Sequence, residues 1–256
     1  LHKAIRRQRQ MCIRDRDTRS EAYGIELRCD SFPLNSFLPA DSLGLLDLAL
    51  QAGGSGFDPL RAQTRGNIRL QVDRAEFRGR DFGGVKLNAN LEGGQLSGRL
   101  SDRDEALRLL LLISGTLTER KQEVRLTGNV FDFDLAELGI SPQKIGGSFA
   151  LEAGASASDA GSYTARIALD SIEVRTRHRT DRIRPTSLSL SSDTTATRAK
   201  LASGDLSLAF VSPGPVDSLV PALTRSTDIL AQQIRAQSVD MEALKPALPD
   251  FSLSVT

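Results

Sequence analysis

The sequence predicts an all-β protein with minor helices: an elongated, curled antiparallel sheet that forms an open β-groove and carries one or two short amphipathic helices. Three observations predict this class. From position 67 onward, apolar and polar residues alternate with a period of two, which is typical of strands with one buried face. Turn residues separate these segments at intervals that suit hairpins. Aromatic residues make up only 5% of the chain, so aliphatic side chains supply long, uniform packing surfaces instead of an aromatic-lined pocket.

Residues 1–16 are predicted to contribute nothing to the fold. The basic run from Arg6 to Arg16 resembles translated adapter sequence. It is not followed by the apolar stretch of about 7 to 15 residues that a signal peptide needs, and a frayed basic terminus leads to the same expectation. Without these residues the chain has 27 basic and 31 acidic residues, which changes the net charge from +1 to −4. Nucleic acid is therefore not an expected partner.

The rest of the chain has one His, His178, and one Cys, Cys29. A structural zinc site needs about four Cys or His ligands, and a disulfide needs two Cys. We expect neither within the chain. The chain contains no run of about 18 apolar residues, so no membrane-spanning helix is predicted.

Residues 17–64 are a poorly defined entry segment, and residues 65–211 are predicted to form the strands of the groove. In the first of these strands the alternation slips between Val72 and Ala75, which indicates a bulge or a strand end. The tetrapeptide 92–95 has Gly at its two central positions. It predicts a tight hairpin, because Gly adopts the positive φ angles that short hairpins need.

The run from Leu107 to Ile113 is predicted to be a strand covered on both faces, because five of its apolar residues are consecutive and turns flank it. Alternation predicts strands on both sides of this run as well. They lie at residues 85–91, 96–100, 124–130, 148–153, 163–169, 172–177, 186–190, 197–201 and 205–211.

Two segments that begin at an Asp are predicted to be helical. Asp134 is the predicted N-cap of a short helix. Asp217 begins a longer amphipathic helix within residues 212–249, which form a helical insertion or lid. Asp240 caps a further short turn, and residues 250–256 start another strand.

Two motifs that match nucleotide-binding proteins by letters are interpreted as coincidence. Asp81-Phe82-Gly83 lacks the Gly-rich loop, strand Lys and catalytic loop of a kinase. Gly53-Gly54-Ser55-Gly56 is interpreted as a flexible turn, because it lacks the Lys-Ser/Thr of a phosphate-binding loop.

The remaining polar candidates also have structural interpretations. Asp132 and Asp134 share a strand face and do not converge across about 5 to 9.5 Å as glycosidase carboxylates do. They are interpreted as a solvated strand end and a helix cap. His178 lies in the basic stretch 175–184, which is interpreted as a charged hairpin or edge-strand guard in preference to a polyanion contact. No catalytic residue, metal ligand or cofactor site is predicted, and no enzymatic activity is expected.

Four strings of residues carry a family resemblance: 41–48 (DSLGLLDL), 66–70 (GNIRL), 96–100 (LSGRL) and 125–139 (RLTGNVFDFDLAELG). They resemble the TamB and AsmA-like proteins of diderm bacteria, whose TamB member belongs to the translocation and assembly module. The resemblance covers about residues 33–256, which would be an internal piece of the very long chains of that family.

The resemblance implies a periplasmic protein whose parent chain is anchored in the inner membrane by a segment absent here. It also implies a groove with an apolar interior that transports phospholipid between the inner and outer membranes, so that phospholipid acyl chains are the expected ligand. A role in outer-membrane protein assembly is implied as well. In that role an outer-membrane β-barrel partner would be met through a C-terminal part of the parent that this chain lacks.

The alternating strands independently predict one continuous apolar face. Such a face binds acyl chains without precise polar contacts, because each buried CH₂ contributes about 0.8 kcal/mol. The residues predicted to line the groove are Ile68, Leu70, Val72, Val85, Leu87, Leu91, Leu126 and Val130. The same residues also fit the closed core of a structural or adhesive β-sandwich or solenoid with no lipid conduit, and the sequence leaves both alternatives open.

Overall fold

The structure is a computed structural model that describes residues 10–13, 21–36, 43–158, 161–235, 240 and 250–256. The strands of the described residues form one open antiparallel sheet. The predicted class, an open antiparallel sheet with minor helices, is confirmed. The elements are β1 (Gln10–Ile13), β2 (Ala22–Pro33), the 3-10 turn η1 (Leu34–Ser36), β3 (Leu43–Ser55), β4 (Arg65–Phe77), β5 (Arg80–Phe82), β6 (Val85–Glu92), β7 (Gln95–Arg103), β8 (Leu107–Leu117), β9 (Lys121–Asp134), β10 (Gly146–Ser158), β11 (Tyr163–Arg175), β12 (Thr180–Ile183), β13 (Thr186–Ser192), β14 (Ala196–Ser203), β15 (Leu206–Pro213), α1 (Val216–Arg235) and β16 (Ser252–Val255).

The chain divides into two compact units. Unit 1 comprises Leu1–Gly154 and Leu169–Arg184, and unit 2 comprises Ala155–Ala168 and Pro185–Thr256. In unit 1 the strands β2, β3, β4, β6, β7, β8 and β9 are neighbours in that order, and each pair is antiparallel. Among the described residues these strands pack almost entirely against their neighbours in the sheet, so they form a single layer.

Two local features of unit 1 agree with the sequence. Glu92 pairs with Gln95, and the two Gly between them have φ angles of 58° and 74°, as a tight hairpin requires. Opposite β3, the pairing of β4 skips Asp73, because Leu48 pairs with Val72 and Asp47 pairs with Arg74. This bulge is the predicted slip in the alternation. Because it absorbs one extra residue, the apolar residues before and after it stay on the same face of the sheet.

The entry segment is the main correction to the sequence prediction. Residues 17–64 contain β2 and β3, two long strands that pair with each other. Their period was hidden, because apolar residues are consecutive at the start of β3 and the register shifts between Cys29 and Phe32.

Residues 10–13 form β1 and pair with β2, so the prediction that residues 1–16 contribute nothing to the fold is wrong. An edge strand pairs through its backbone groups, so the added strand needs no alternating pattern.

The predicted flexible turn at residues 53–56 is also wrong at its first three positions, which lie in β3. A Cβ on Gly54 would lie 2.2 Å from the carbonyl oxygen of Arg65 and 2.8 Å from the hydroxyl of Tyr23. Gly is therefore required there because two strands and a ring approach closely, not because the chain turns.

Two strand predictions need correction. The run that begins at Leu107 is not covered on both faces, since Leu111 is 6% exposed whereas Leu112 is 51% exposed. Residues 163–169 and 172–177 were predicted as separate strands, but β11 is continuous through Ser171, which has a φ of 50°. A single strained residue interrupts the sequence pattern without ending the strand.

The predicted helix after Asp134 is a single capped turn. The carboxylate of Asp134 accepts hydrogen bonds from the N–H groups of Ala136 (2.9 Å) and Glu137 (3.3 Å). The turn closes when Ile140 donates to the carbonyl oxygen of Leu135. The cap was placed correctly, but five residues are too few to offset the cost of starting a helix.

Unit 2 contains the antiparallel strands β13, β14, β15 and β16. The helix α1 also belongs to this unit and packs on β14. The predicted helix is confirmed, but it begins at Val216, whose N–H donates to the hydroxyl of Ser192 at 2.8 Å. Asp217 therefore lies in the first turn and is not the N-cap. The turn predicted after Asp240 lies outside the described residues, and the strand predicted within 250–256 is β16.

The turn between β13 and β14 is organised by Asp193. Its carboxylate accepts hydrogen bonds from the N–H groups of Thr195 (2.7 Å) and Ala196 (2.9 Å) and from the Thr195 hydroxyl. These hydrogen bonds lower the pKa of Asp193 to about 2, and the one from the Thr195 hydroxyl has the largest effect.

Candidate functional site

All eight residues predicted to line the groove lie on one face of unit 1. Residues directly opposite each other in an antiparallel pair project their side chains to the same face, so the register assigns each side chain to a face. The central row crosses six strands as Leu27, Leu50, Leu70, Leu87, Leu100 and Leu111, each paired with the next.

Three further rows run parallel to the central row, and the four rows together are called the apolar face. On one side of it lies the row Ile25, Ala52, Ile68, Ala89, Gly98, Ile113 and Leu126. Beyond that lies the row Tyr23, Gly54, Gly66, Leu91, Leu96, Gly115 and Val124. On the other side the fourth row contains Cys29, Leu48, Val72 and Val85 and ends with Leu109 and Val130.

The apolar face is large. It spans the seven strands from β2 to β9 that are neighbours in unit 1, and six interstrand spacings of about 4.8 Å make it about 29 Å wide. Along the strands, the four rows are separated by two residues each and extend over about 20 Å. The sequence prediction missed the part of the face on β2 and β3, including Leu27, Leu48 and Leu50, because the entry segment was left undefined.

The apolar face is only partly buried. Leu111 and Val130 are each 6% exposed, but Ile25 and Ile68 are each 44% exposed. The other predicted lining residues are half-buried. A second layer of protein would bury such side chains almost completely, so the described residues of unit 1 leave this face open to an apolar ligand.

The opposite face of the same strands is polar. Arg69 pairs with Asn88, which pairs with Arg99. A shallow depression of about 410 Å³ lies over these residues and over Asn67, Asn90 and Ser97 in the next row. On β4, β6 and β7 the sheet is therefore amphipathic, with one aliphatic face and one face of Arg, Asn and Ser. On β8 the polar face also carries Leu110 and Leu112.

One carboxyl group belongs to the apolar side. Asp102 pairs with Leu109 and is 8% exposed. Burial, and then the neighbouring Asp104 carboxylate, raise the pKa of Asp102, although the Asp104 N–H, which donates to it at 2.9 Å, acts in the opposite direction. On the same face, burial and then Asp30 raise the pKa of the Cys29 thiol, so this thiol is not activated as a nucleophile.

The polar candidates lie at strand ends and turns of the sheet. Asp132 forms an ion pair with Arg175, and Asp134 caps a turn. His178 is exposed in the hairpin between β11 and β12. Asp81 lies on β5 in a short hairpin with β4. Among the described residues, no group of three or more His, Cys, Asp or Glu is arranged to hold a metal ion.

The chain matches no protein-family model, no curated protein and no solved structure. None of the described helices is long and apolar enough to cross a membrane.

Proposed function

We propose that unit 1 binds the acyl chains of phospholipids on its apolar face. The proposed setting is a periplasmic TamB/AsmA-like protein that is anchored in the inner membrane and moves phospholipid between the inner and outer membranes. The observation that carries this proposal is one continuous face of mostly aliphatic and Gly residues that the described residues of unit 1 leave partly exposed. The compartment and the two membranes come from the family resemblance.

The dimensions of the apolar face suit an acyl chain. One leaflet of a bilayer contributes about 15 Å of hydrocarbon, half of a core about 30 Å thick. An acyl chain of that length fits within a face of about 29 by 20 Å. Ten CH₂ groups that each lose about half of their contact with water would contribute about 4 kcal/mol, which corresponds to a dissociation constant near 1 mM. Such weak binding favours passage over storage.

The arrangement of polarity also supports a carrier that is not an enzyme. Apart from Tyr23, Cys29 and Asp102, the residues of the apolar face offer no polar side chain that would select one position of a chain, so a chain can move between equivalent positions along most of the face. The polar opposite face keeps the other side of the sheet in water. The proposed role in outer-membrane protein assembly, and its β-barrel partner, rest on the family resemblance alone.

Photo-cross-linking of the intact protein in diderm cells tests the proposal. A photoreactive residue at Leu70 or Leu87 should capture phospholipid. The same residue at Arg69 or Asn88 provides a matched control, because these neighbours lie on the same strands and project to the polar face. If neither leucine position captured lipid, the conduit would be ruled out and the structural or adhesive alternative would replace it.

A further inference from the structure

The polar face of unit 1 carries a local cluster of cations. On β4, β6, β7 and β8, the positions between the apolar rows project to this face. The exposed cations at these positions that have no ion-pair partner among the described residues are called the cationic patch. They are Arg69 on β4, Lys86 on β6, Arg99 and Arg103 on β7, and Arg108 on β8. The whole chain has a formal net charge of only +1, so the positive charge is concentrated on this surface.

The carboxylates near the cationic patch already have partners. Glu92 forms an ion pair with Arg65 at 3.7 Å, and Asp73 accepts a hydrogen bond from the side-chain amide of Gln71 at 2.7 Å. The row through Asn88, which holds two members of the patch, contains no carboxylate between β4 and β7. The described residues of these strands therefore leave the charge of the patch available to a ligand.

Two members of the cationic patch are directly opposite each other. Arg103 on β7 pairs with Arg108 on β8, and like charges in this position destabilise a sheet. Asp132 on β9 lies opposite Arg108, but it forms its ion pair with Arg175. A bound anion would relieve the repulsion between the two Arg, so the patch is suited to an anionic ligand.

The centre of the cationic patch has the dimensions of a small-ligand site. The depression of about 410 Å³ lies there, and its volume falls within the range that is usual for such sites. Arg69 and Arg99 flank Asn88 on the two neighbouring strands, each at a strand spacing of about 4.8 Å. Both guanidinium groups can therefore form charge-assisted hydrogen bonds to one acidic group above Asn88.

The amide and hydroxyl groups beside the two Arg indicate the class of anion. Asn67, Asn90 and Ser97 line the depression in the row next to Asn88. Each of these side chains both donates and accepts hydrogen bonds, as a sugar hydroxyl does. An anionic membrane surface needs only cations. Among the described residues of the patch and the depression there is no aromatic ring on which a nucleic-acid base could stack.

We infer that the polar face of β4, β6 and β7 binds an acidic glycan. Arg69 and Arg99 bind an acidic group of one sugar, and the amide and hydroxyl groups of the next row bind its hydroxyls. Lys86 and the opposed Arg pair bind further acidic groups along the glycan. The glycan site and the acyl-chain site lie on opposite faces of the sheet, so either can exist without the other.

Isothermal titration calorimetry of the full chain tests for this site with four probes. They are hexagalacturonate, its methyl ester, hexaglutamate, and vesicles of phosphatidylcholine and phosphatidylglycerol in equal parts. The methyl ester keeps the sugars and removes the charge, whereas hexaglutamate keeps the charge and removes the sugar hydroxyls. We expect hexagalacturonate to bind about tenfold more tightly than either of these two, and added salt to weaken its binding.

Two substitutions separate recognition of the charge from recognition of the hydroxyls. Arg69→Gln should weaken both hexagalacturonate and hexaglutamate about fivefold, because each loses an exposed charge contact. Asn90→Ala should weaken only hexagalacturonate, by about threefold, because it removes a hydrogen bond to the sugar. Arg120→Gln is the matched control, since Arg120 is exposed in the turn between β8 and β9 and lies outside the patch. It should change neither dissociation constant. All three residues are exposed, so each variant should keep the native unfolding midpoint.

Three results would overturn the glycan site. Equal binding of hexagalacturonate and hexaglutamate would assign the cationic patch to an acidic peptide. Vesicle binding that Arg69→Gln removes, without any binding of hexagalacturonate, would assign the patch to an anionic membrane surface. Binding of hexagalacturonate that is absent, or that Arg69→Gln leaves unchanged, would refute the patch as its site. None of these results would affect the acyl-chain site on the opposite face.

Discussion

Polar substitution at Ile68 tests whether the apolar face is open. Ile68 is 44% exposed, so just over half of its surface is buried. Full burial of an Ile side chain contributes about 1.5 to 3 kcal/mol. We therefore expect Ile68→Ser to lower the free energy of unfolding by about 1 kcal/mol. Leu111→Ala should cost about 2 to 3 kcal/mol, because Leu111 is 6% exposed and its truncation leaves a gap.

The free energy of unfolding is measured by urea titration of each variant, with the slope against urea checked for constancy. Leu112→Ser is the matched control. Leu112 is 51% exposed and is adjacent to Leu111 on the opposite face, so it should also cost about 1 kcal/mol. In a closed sandwich Ile68→Ser would additionally bury an unpaired hydroxyl. A loss above about 3 kcal/mol at Ile68 would therefore refute the open face.

Three further predictions concern stability. Gly54→Ala should lower the free energy of unfolding by more than about 2 kcal/mol, because its Cβ would overlap the backbone of β4. Gly53→Ala should lower it by less than about 1 kcal/mol, because the atom nearest to the new Cβ would lie at 3.6 Å. Equal losses in urea titrations would contradict this. Asp102→Asn should raise the unfolding midpoint at pH 7. The folded-state pKa of Asp102 lies above its ordinary value, so the protonated carboxyl stabilises the protein at low pH, and this effect is lost as pH rises through the folded-state pKa. The advantage of the variant should therefore disappear below about pH 4. Asp193→Ala should lower the unfolding midpoint at pH 7 and have no effect below about pH 2, because a pKa lowered to about 2 stabilises the fold only while the carboxylate is ionised; a loss that persisted at pH 1.5 would contradict the role of the charge.

The apolar face was predictable from the sequence where alternation is uninterrupted. On β4, β6 and β9 the period of two assigns residues such as Leu70, Leu87 and Leu126 to one face, and the register confirms this. The tight turn at Gly93 and Gly94 was also predictable, because two consecutive Gly favour few other local structures.

The other features of the fold and of the candidate site could not be predicted from any one segment of the sequence. The strand β3 has consecutive apolar residues, and only its pairing with β2 and β4 assigns Leu48 and Leu50 to the apolar face. The turn after Asp134 has the cap of a helix but is held as a turn by its hydrogen bonds. A cleft of about 510 Å³ is lined by Glu105, Phe133 and Arg177 from three distant segments, so spacing along the chain could not predict it.

Methyl NMR of the full chain with a phospholipid that carries a nitroxide on its acyl chain shows on which face of the sheet the acyl chain lies. The nitroxide broadens the signals of nearby methyl groups, so each Leu and Ile reports on the face where the acyl chain lies. We expect strong broadening at Leu70, Leu87 and Leu111 and little at Leu112, which projects to the polar face. Equal broadening at Leu111 and Leu112, or none at Leu87, would contradict an acyl chain bound on the apolar face.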